Sequence, residues 1–321
     1  MIRLSIIIPF YNVEQYIAQC LDSVYKQDIP ETEYEVICVN DASPDKSREI
    51  VLEYQKKHSN LVLVEHDVNK KLGAARNTGR SVARGTYIWN VDSDDMIAPN
   101  CLSEVLDICE KGTLDVLVFG HQNVVNDAVV KPDERDVIPA TLRMSGIEFM
   151  RQYGISHLYA ISPVWRQIFR KEFLDKKGIY SLPVNMSEDV PYTYNALVHA
   201  QKLQVSDKPY YFYRCNSQSI GEQMLQSPSA INAYESCFVV PRELFRIADE
   251  LRAEAPDVCK AIQQVGTWCF QLYGKYAERM TKEQHDSFLS ICRRKLLHNV
   301  DVLFHLGHKK RKAYIKFVVF G

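Results

Sequence analysis

The chain has 321 residues, 46% of them apolar, which is enough to bury a full core and to form one large domain with an appendage. Its 39 lysines and arginines nearly balance its 40 aspartates and glutamates. The overall charge therefore neither favours nor forbids nucleic acid, and composition alone names no partner. We expect no nucleic-acid partner.

The nine cysteines form no Cys-x-x-Cys pair, and several lie in apolar stretches such as Val36–Val39. This usage is typical of core residues in a reducing compartment rather than of disulfides or zinc ligands. The apolar run Ile6–Ile8 is too short for a signal peptide, and no stretch is long enough for a transmembrane helix. We expect a cytoplasmic protein, with the inner face of the membrane as its one candidate membrane contact.

The first 120 residues alternate between two apolar patterns. Continuous apolar runs predict strands at Leu4–Pro9, Tyr34–Val39, Leu61–Glu65, Thr86–Val91 and Leu114–Gly120. Apolar residues at helical spacing predict helices at Ile17–Val24, Lys46–Lys57, Ala74–Ala83 and Asn100–Glu110. Strands that alternate with helices predict a parallel sheet covered on both faces, with ligands bound beyond the carboxyl ends of the strands.

The pattern weakens further along the chain, and Asp127–Arg143 indicates a surface insertion or mobile loop. An aromatic run follows at Tyr210–Arg214, and helical spacing then dominates, which predicts a small helical subdomain. The predicted domains are residues 1–220 and 221–321. The tail joins the basic block Lys309–Lys312 to an apolar end, which suits either peripheral contact with an anionic membrane or an ordinary docked terminus.

An aspartate cluster, Asp92-Ser93-Asp94-Asp95, follows the apolar run Tyr87–Val91, so a strand is expected to deliver three carboxylates together at its carboxyl end. Like charges this close repel unless a cation neutralises them, and Mg²⁺ or Mn²⁺ takes oxygen ligands. The cluster therefore predicts a metal site. The alternative is an acidic turn that caps the helix beginning near Pro99.

Two other predicted strands also end in polar motifs, Pro9-Phe10-Tyr11-Asn12 and Asn40–Asp45. With the aspartate cluster, these motifs are expected to converge on one crevice. The first strand is not followed by Gly-x-Gly-x-x-Gly, and the chain has no Gly-x-x-x-x-Gly-Lys-Ser/Thr. Their absence argues against a dinucleotide oxidoreductase and against a P-loop NTPase.

A second acidic pair, Glu188 and Asp189, follows Ser187. Ser187 can cap a helix whose first turn holds both acids, and Pro191 is tolerated in that turn. Capping is the structural interpretation of this segment, and a catalytic role is the functional one.

The ordered motifs resemble those of family 2 glycosyltransferases over about residues 1 to 220. They are Ser5–Asn12, Val39–Asp45, Gly73–Gly79, Val91–Asp95 and Ser187–Asp189. The resemblance implies an α/β GT-A fold: a Rossmann-like, mostly parallel sheet with flanking helices, here followed by the C-terminal helical subdomain. It implies an inverting, hexosyl-type glycosyltransferase that uses a nucleotide-sugar donor, with UDP-sugar favoured, and Mn²⁺ or Mg²⁺ as cofactor. The expected acceptor is a hydroxyl of a glycan or lipid-linked saccharide in cell-surface polysaccharide synthesis.

The resemblance also implies roles for particular residues. Those expected to bind the donor are Pro9, Tyr11, Asn12, Asp41, Arg76, Asp92 and Ser93. Among them, Pro9 and Tyr11 would form the wall on which the base stacks, and Asp41 would accept a hydrogen bond from uracil N3–H. Arg76 would offer its donors to the diphosphate or the sugar.

The metal and the acceptor complete the implied site. Asp94 would ligate the metal, with Asp92 assisting or holding hydroxyls of the donor. Asp189 would be the general base for the acceptor hydroxyl, and Glu188 would orient the acceptor. Structural alternatives also stand for the donor-site residues: a strand end for Pro9 and Tyr11, a solvated helix residue for Arg76 and a turn cap for Asp41.

The chain departs from the family's pattern in two places. Asn69–Gly73 stands where Asn-x-Gly-Val-Ser is frequent, which changes the loop before the third helix and bears on the choice of sugar. Asn40 precedes Asp41 where paired aspartates are common, and this change keeps the expected base-reading carboxylate.

Two other functions are compatible with parts of the sequence. One is a nucleotidyltransferase, which would need a glycine-rich basic loop after the first strand. The other is a non-catalytic carbohydrate-binding or assembly protein on a transferase scaffold.

Overall fold

The computed structural model of the protein describes residues 1–154, 156–184, 186–215, 229–277, 279–295, 302, 305 and 306. The chain divides into two compact units: Met1–Pro183 with Tyr192–Cys215, and Val184–Pro191 with Asn216–Gly321. The predicted domain boundary at residue 220 falls outside the described residues. The segment Val184–Pro191, which the sequence assigned to the first domain, groups with the second unit.

The first unit is built on a mixed sheet, which has nine strands in the described part of the chain. They are β1 (Leu4–Phe10), β2 (Tyr34–Asn40), β3 (Leu61–Glu65), β4 (Tyr87–Asn90), β5 (Met96–Ile97), β6 (Val116–Val125), β7 (Ala128–Val130), β8 (Gln167–Arg170) and β9 (Leu203–Arg214). Their order across the sheet is β3-β2-β1-β4-β8-β6-β9-β5, and β7 pairs with β6.

Helices connect and cover these strands. They are α1 (Ile17–Val24), α2 (Ser47–Lys57), α3 (Leu72–Val82), α4 (Leu102–Gly112), α5 (Gly146–Tyr153), α6 (Leu158–Ile161), α7 (Lys171–Lys176) and α8 (Asp189–His199). Apolar periodicity predicts α1 to α4 to within two residues at each end. The buried face is an apolar stripe in α1 and α4, whereas α3 also buries Arg76 and Arg80.

The strands β1 to β4 are parallel, as the alternating pattern predicts. β1 lies between β2 and β4, with Ile7 opposite both Ile37 and Asn90. Its two faces are covered by different helices: Ile6 packs in a cluster with residues of α1, α2 and α4, whereas Ile7 packs with Ala75 of α3. Burial on both faces explains why these strands are continuous apolar runs rather than alternating ones.

Beyond β4 the sheet is mixed. β8 is antiparallel to both β4 and β6, and β6 is parallel to β9, which in turn pairs with the antiparallel β5. The predicted strand Leu114–Gly120 corresponds to β6, which extends to Val125. Part of the expected loop Asp127–Arg143 is ordered as β7, joined to β6 by a tight turn with Asn126 and Asp127 at φ 50° and 60°.

After residue 228, the described residues of the second unit are mostly helical, as predicted. Its helices after α8 are α9 (Ala230–Tyr234), α10 (Val240–Glu250), α11 (Pro256–Ala277) and α12 (Lys282–Arg294), with a π-helical turn at Glu235–Val239. Aromatic side chains from these elements, including Tyr234, Phe238 and Phe288, form its core. Met186, from the segment before α8, packs against the same core.

No described helix combines the length and the apolar composition needed to cross a membrane. The predicted membrane-contacting tail, Lys309–Lys312 with the apolar residues after it, lies outside the described residues. All nine cysteines are among the described residues and none forms a disulfide, and all but Cys215 are buried, as expected for core residues.

Candidate functional site

The loops that follow β1, β2 and β4 meet at the carboxyl edge of the sheet. Phe10, the last residue of β1, is opposite Asn40, the last residue of β2. The backbone N–H of Asn12 then donates to Ser43 Oγ at 2.8 Å, which ties the two loops together. Because β4 pairs with β1 on its other side, the aspartate cluster follows at the same edge. The structure thus brings the three predicted strand-end motifs together.

The exposed aromatic residue at this edge is Tyr11, whose surface is 48% accessible. It is followed by Asn12 at φ 57°, a left-handed conformation that asparagine tolerates better than most residues. Pro9, by contrast, is buried within β1 opposite Val39. Of the expected two-residue stacking wall, Tyr11 is therefore exposed, whereas Pro9 is buried within the sheet.

Asp41 lies directly after β2 and is only 4% exposed. Its Oδ1 accepts a hydrogen bond from the backbone N–H of Lys70 at 2.8 Å and lies 2.7 Å from Nδ1 of His66. Both partners belong to the segment that follows β3. The expected base-reading carboxylate is thus held in place by that segment, and it does not cap its own turn: the N–H of Ser43 is accepted by Asn40 Oδ1.

The acidic segment after β4 separates into an outer and an inner part. Asp92 and Asp94 are half-buried, whereas Asp95 is 1% exposed. The carboxylate of Asp95 accepts hydrogen bonds from the Tyr211 hydroxyl at 2.8 Å and from the Arg214 backbone N–H at 2.7 Å. Asp95 is thus bonded to β9 on the inner side of the segment. The metal ligands expected from the resemblance, Asp94 and Asp92, are the two that remain.

Negative charge is concentrated around this segment. Burial, and then the charges of Asp94 and Asp92, raise the pKa of Asp95 well above its usual range. The pKa of the Tyr213 hydroxyl is also raised, first by burial and then by the three aspartates. A position where several neighbouring groups feel the same negative potential favours a bound cation.

The donor set suits a hard divalent ion that is shared with a substrate. Among the described residues, no group of three or more histidine, cysteine, aspartate or glutamate side chains is placed to hold a metal by itself. Mg²⁺ is commonly held by one or two carboxylates together with substrate phosphates and water. Asp92 and Asp94 can supply those carboxylates, so the residues present fit an ion that binds together with a diphosphate.

Arg76, on α3, is joined to the acidic segment. Its Nη2 donates to Asp92 Oδ1 at 2.7 Å, and its side chain is 4% exposed. The solvated-helix alternative for Arg76 is therefore wrong. Ser93, the other expected donor-binding residue of the acidic segment, is 7% exposed and is thus also buried.

The motif Gly73–Gly79 also fixes a neighbouring piece of chain. The side-chain amide of Asn77 donates to Ser181 O at 2.8 Å, and its Oδ1 accepts from Ser181 N at 3.0 Å. A Cβ on Gly73 would lie 1.7 Å from the carbonyl oxygen of Leu182, so this close approach requires glycine. Gly73 and Asn77 of this motif thus serve the packing of α3 against the chain at Ser181 and Leu182.

Arg214 contacts the site and was not singled out from the sequence. Its Nε donates to the carbonyl of Asp94 at 3.0 Å, Nη2 donates to Gln19 Oε1 at 2.6 Å, and Nη1 pairs with Asp127 at 3.0 Å. One side chain therefore ties the acidic segment to α1 and to the turn between β6 and β7. The sequence shows the aromatic run that ends in Arg214, but the partners of the Arg214 side chain depend on how β9 pairs with the other strands.

Glu188 and Asp189 belong to the second unit. α8 begins at Asp189, so Glu188, which is 4% exposed, precedes the helix instead of lying in its first turn. Ser187 has φ 56°, which is left-handed and unlike the extended conformation of a capping serine. The expected Ser187 cap is therefore wrong. Asp189 is half-buried near α11, where burial, and then the charge of Asp189, raise the pKa of Cys269 to about 12.

Comparison with known proteins identifies the family to which the chain belongs. The family model described as Glycosyl transferase family 2 matches residues 5–176. The chain is 32% identical over 224 residues to the uncharacterized glycosyltransferase EpsJ of Bacillus subtilis, an alignment that covers 68% of this chain and 62% of that protein. It is 31% identical over 251 residues to the poly(ribitol-phosphate) beta-N-acetylglucosaminyltransferase TarS of Staphylococcus aureus, which covers 77% of this chain and 39% of that protein. The chain thus spans less than two thirds of either relative.

The fold has a counterpart among solved structures. The crystal structure of S. aureus TarS 1-349 in complex with UDP-GlcNAc matches with a TM-score of 0.71 at 24% identity, and the match covers 90% of this chain and 79% of that one. The mixed sheet, its flanking helices and the helices after it are therefore those of a GT-A-like fold, as expected.

Proposed function

The chain belongs to glycosyl transferase family 2, and from that premise we propose that it transfers a sugar, with inversion, from a UDP-sugar to a hydroxyl of a cell-surface glycan or lipid-linked saccharide. The observation that carries the proposal is the convergence at one sheet edge of an exposed Tyr11, a fixed Asp41 and the outer carboxylates Asp92 and Asp94. Such an edge, beyond the carboxyl ends of parallel strands, is where α/β folds bind nucleotides.

The relatives support the donor and acceptor classes. S. aureus TarS was crystallised with UDP-GlcNAc and also with UDP, and its name describes transfer of N-acetylglucosamine to poly(ribitol-phosphate). A Bacillus spizizenii relative, 33% identical over 214 residues, is named a poly(ribitol-phosphate) beta-glucosyltransferase. We therefore favour a hexose or N-acetylhexosamine carried on UDP, and a polymer or lipid-linked acceptor rich in hydroxyls.

Binding of the donor would use the residues at the sheet edge. The uracil ring would stack on Tyr11, and Asp41 would accept its N3–H. Asp94 and Asp92 would hold Mn²⁺ or Mg²⁺, and such an ion, when bound, offsets the charge of the diphosphate and of the leaving UDP. Arg76, beside Asp92, would place a further positive charge near the diphosphate.

Transfer then needs a base for the acceptor. In the proposed reaction the acceptor oxygen forms a bond to the anomeric carbon as the bond from that carbon to the diphosphate oxygen breaks, and UDP departs with the electron pair. The proton of the acceptor hydroxyl passes to the carboxylate of Asp189. Glu188 would orient the acceptor.

The proposal is tested by incubating the protein with a panel of UDP-, GDP- and CDP-sugars and Mn²⁺ and measuring nucleotide release. We expect release from at least one UDP-sugar, and UDP should compete better than GDP because the pocket is built for a uracil edge. UDP binding without turnover of any sugar would instead favour a non-catalytic binding protein, and preference for GDP would refute the assignment of the base pocket.

The metal requirement has its own test in Asp94→Ala. This variant should lose Mn²⁺-dependent UDP binding, because the diphosphate would then face the acidic segment without its bridging cation. A matched control is Asp107→Ala, which removes an exposed carboxylate that pairs with Lys111 on α4. Titration calorimetry with and without Mn²⁺ decides the point. Equal, metal-independent binding by the wild type and Asp94→Ala would contradict the proposed metal site.

A further inference from the structure

A histidine lies behind the proposed base-reading carboxylate. β3 pairs with β2 in parallel, with Asn40 opposite Glu65, and the N–H of the next residue, His66, donates to Asn40 O at 2.9 Å. The side chain of His66 therefore emerges beside Asp41, the residue that follows β2. Both side chains are buried, at 3% and 5% exposed.

The imidazole of His66 bridges two elements. Nδ1 lies 2.7 Å from Asp41 Oδ1, and Nε2 lies 2.9 Å from Oγ1 of Thr78 on α3. A carboxylate oxygen accepts hydrogen bonds, so Nδ1 carries the proton in this pair. The ring is held from both sides and cannot turn away from Asp41 without losing a buried hydrogen bond.

Both bonds to Asp41 end on the same oxygen. Oδ1 receives the imidazole of His66 and the backbone N–H of Lys70, whereas Oδ2 accepts no hydrogen bond from the described residues. The torsion that turns a carboxylate about its last bond is broad when nothing restrains it. Two donors on Oδ1 fix the plane of the group and leave Oδ2 as the acceptor for a ligand.

We propose that His66 is a positioning residue that makes the nucleotide site selective for a base with a donor at N3, uracil over cytosine. This inference rests on the proposed function and adds to it the source of the base selectivity. Uracil has an N–H at position 3, which Oδ2 of Asp41 can accept, whereas N3 of cytosine is itself an acceptor and would face the carboxylate unpaired. A site that leaves such buried polar groups unpaired discriminates strongly between ligands of equal size.

The segment that follows His66 contributes through its backbone. The N–H of Lys71 donates to Asn69 Oδ1 at 3.1 Å, and Lys71 has φ 76°. This turn places the N–H of Lys70 on Asp41. The unusual sequence Asn69–Gly73 is therefore compatible with a fixed carboxylate, because the loop contacts Asp41 through the backbone N–H of Lys70.

The test is the ratio of UDP to CDP affinity, measured by titration calorimetry with Mn²⁺ on the full chain. His66→Phe keeps a planar ring but removes the donor, and we expect it to lower the ratio roughly tenfold, as for loss of a hydrogen bond to a charged group. His66→Asn, whose amide nitrogen lies near the position of Nδ1, should restore most of the ratio. His66→Gln, whose amide lies nearer the position of Nε2, should not.

A matched control is available in His58, whose Nδ1 lies 2.8 Å from Glu31 Oε1 in a similar histidine–carboxylate pair. His58→Phe should leave the UDP to CDP ratio unchanged. If Asp41→Asn lowers the ratio but the His66 variants all keep it, the inference is overturned and the proposed function stands. If wild-type protein binds UDP no better than CDP, the base-reading assignment in the proposed function fails, and the inference fails with it.

Discussion

At the scale of single residues, hydrogen bonds from β9 hold one carboxylate of the acidic segment, that of Asp95, inside the protein. The Tyr211 hydroxyl accepts the N–H of Asp92 at 3.1 Å and donates to Asp95 Oδ2 at 2.8 Å. One buried hydroxyl thus holds the backbone of Asp92, a proposed metal ligand, and keeps the carboxylate of Asp95 turned inward. Asp92 and Asp94 form the outer pair because Asp95 is bonded to β9.

This arrangement predicts the effect of Tyr211→Phe. Loss of the hydroxyl leaves the N–H of Asp92 and an oxygen of Asp95 unpaired in a buried place, which should lower the free energy of unfolding by about 1–3 kcal/mol. It should also weaken Mn²⁺-dependent UDP binding, because the acidic segment loses a fixed point. Urea unfolding and calorimetry on one preparation measure both effects.

The control for this prediction is Tyr25→Phe. The buried hydroxyl of Tyr25 has no hydrogen-bond partner among the described residues, so its removal should be neutral or slightly stabilising. If Tyr211→Phe and Tyr25→Phe behaved alike in both measurements, the Tyr211 hydroxyl would not hold the segment.

At the scale of secondary-structure elements, α3 serves the site and the fold at once. One residue, Arg76, pairs with Asp92, while Asn77 and Arg80 hold the chain that follows α7. Arg80 donates to the carbonyl of Ile179 and pairs with Asp175 at 2.6 Å. The motif on this helix therefore combines Arg76, which is proposed to bind the donor, with packing residues, and a sequence alone cannot separate the two kinds.

Asn77→Ala tests the packing role of α3. The substitution removes both hydrogen bonds to the backbone of Ser181, which is 5% exposed, and should lower the free energy of unfolding by about 2 kcal/mol or more. Ser81→Ala, at an exposed position of the same helix, is the matched control and should change stability by less than about 0.5 kcal/mol. Equal midpoints in urea for the two variants would contradict this role.

At the scale of the whole molecule, the residues assigned to donor binding and to proton removal fall in different compact units. The strand-end residues belong to the first unit, and Val184–Pro191, with Glu188 and Asp189, groups with the helical second unit. Met186 anchors this segment in the second unit's core. We infer that the C-terminal helices have a role in holding the proposed base.

Asp189→Asn should separate binding from chemistry. The amide keeps the shape of the side chain but cannot take a proton, so we expect turnover to fall by roughly 10²-fold or more, with UDP affinity nearly unchanged. Turnover, UDP affinity and melting temperature should be measured on the same preparation. Near-normal turnover with a lowered melting temperature would show instead that Asp189 only begins α8.

The sequence by itself determined the first half of the fold and the residues that gather there. Continuous apolar runs followed by helical periods specify β1 to β4 and α1 to α4, since both patterns are local and repeat within a few residues. Parallel strands share a carboxyl edge, so the positions of Tyr11, Asp41 and Asp92 followed from order along the chain alone.

Only the tertiary structure decided what each of these side chains contacts. Asp95 turns inward because of Tyr211, 116 residues away, and Arg214 reaches Gln19 across 195 residues. His66 meets Asp41 because β3 pairs with β2, and Pro9 is buried because β1 lies inside the sheet. Such contacts depend on which strands pair and on the unit to which each segment belongs. Local periodicity predicts that a strand forms, but it does not encode the partner of that strand.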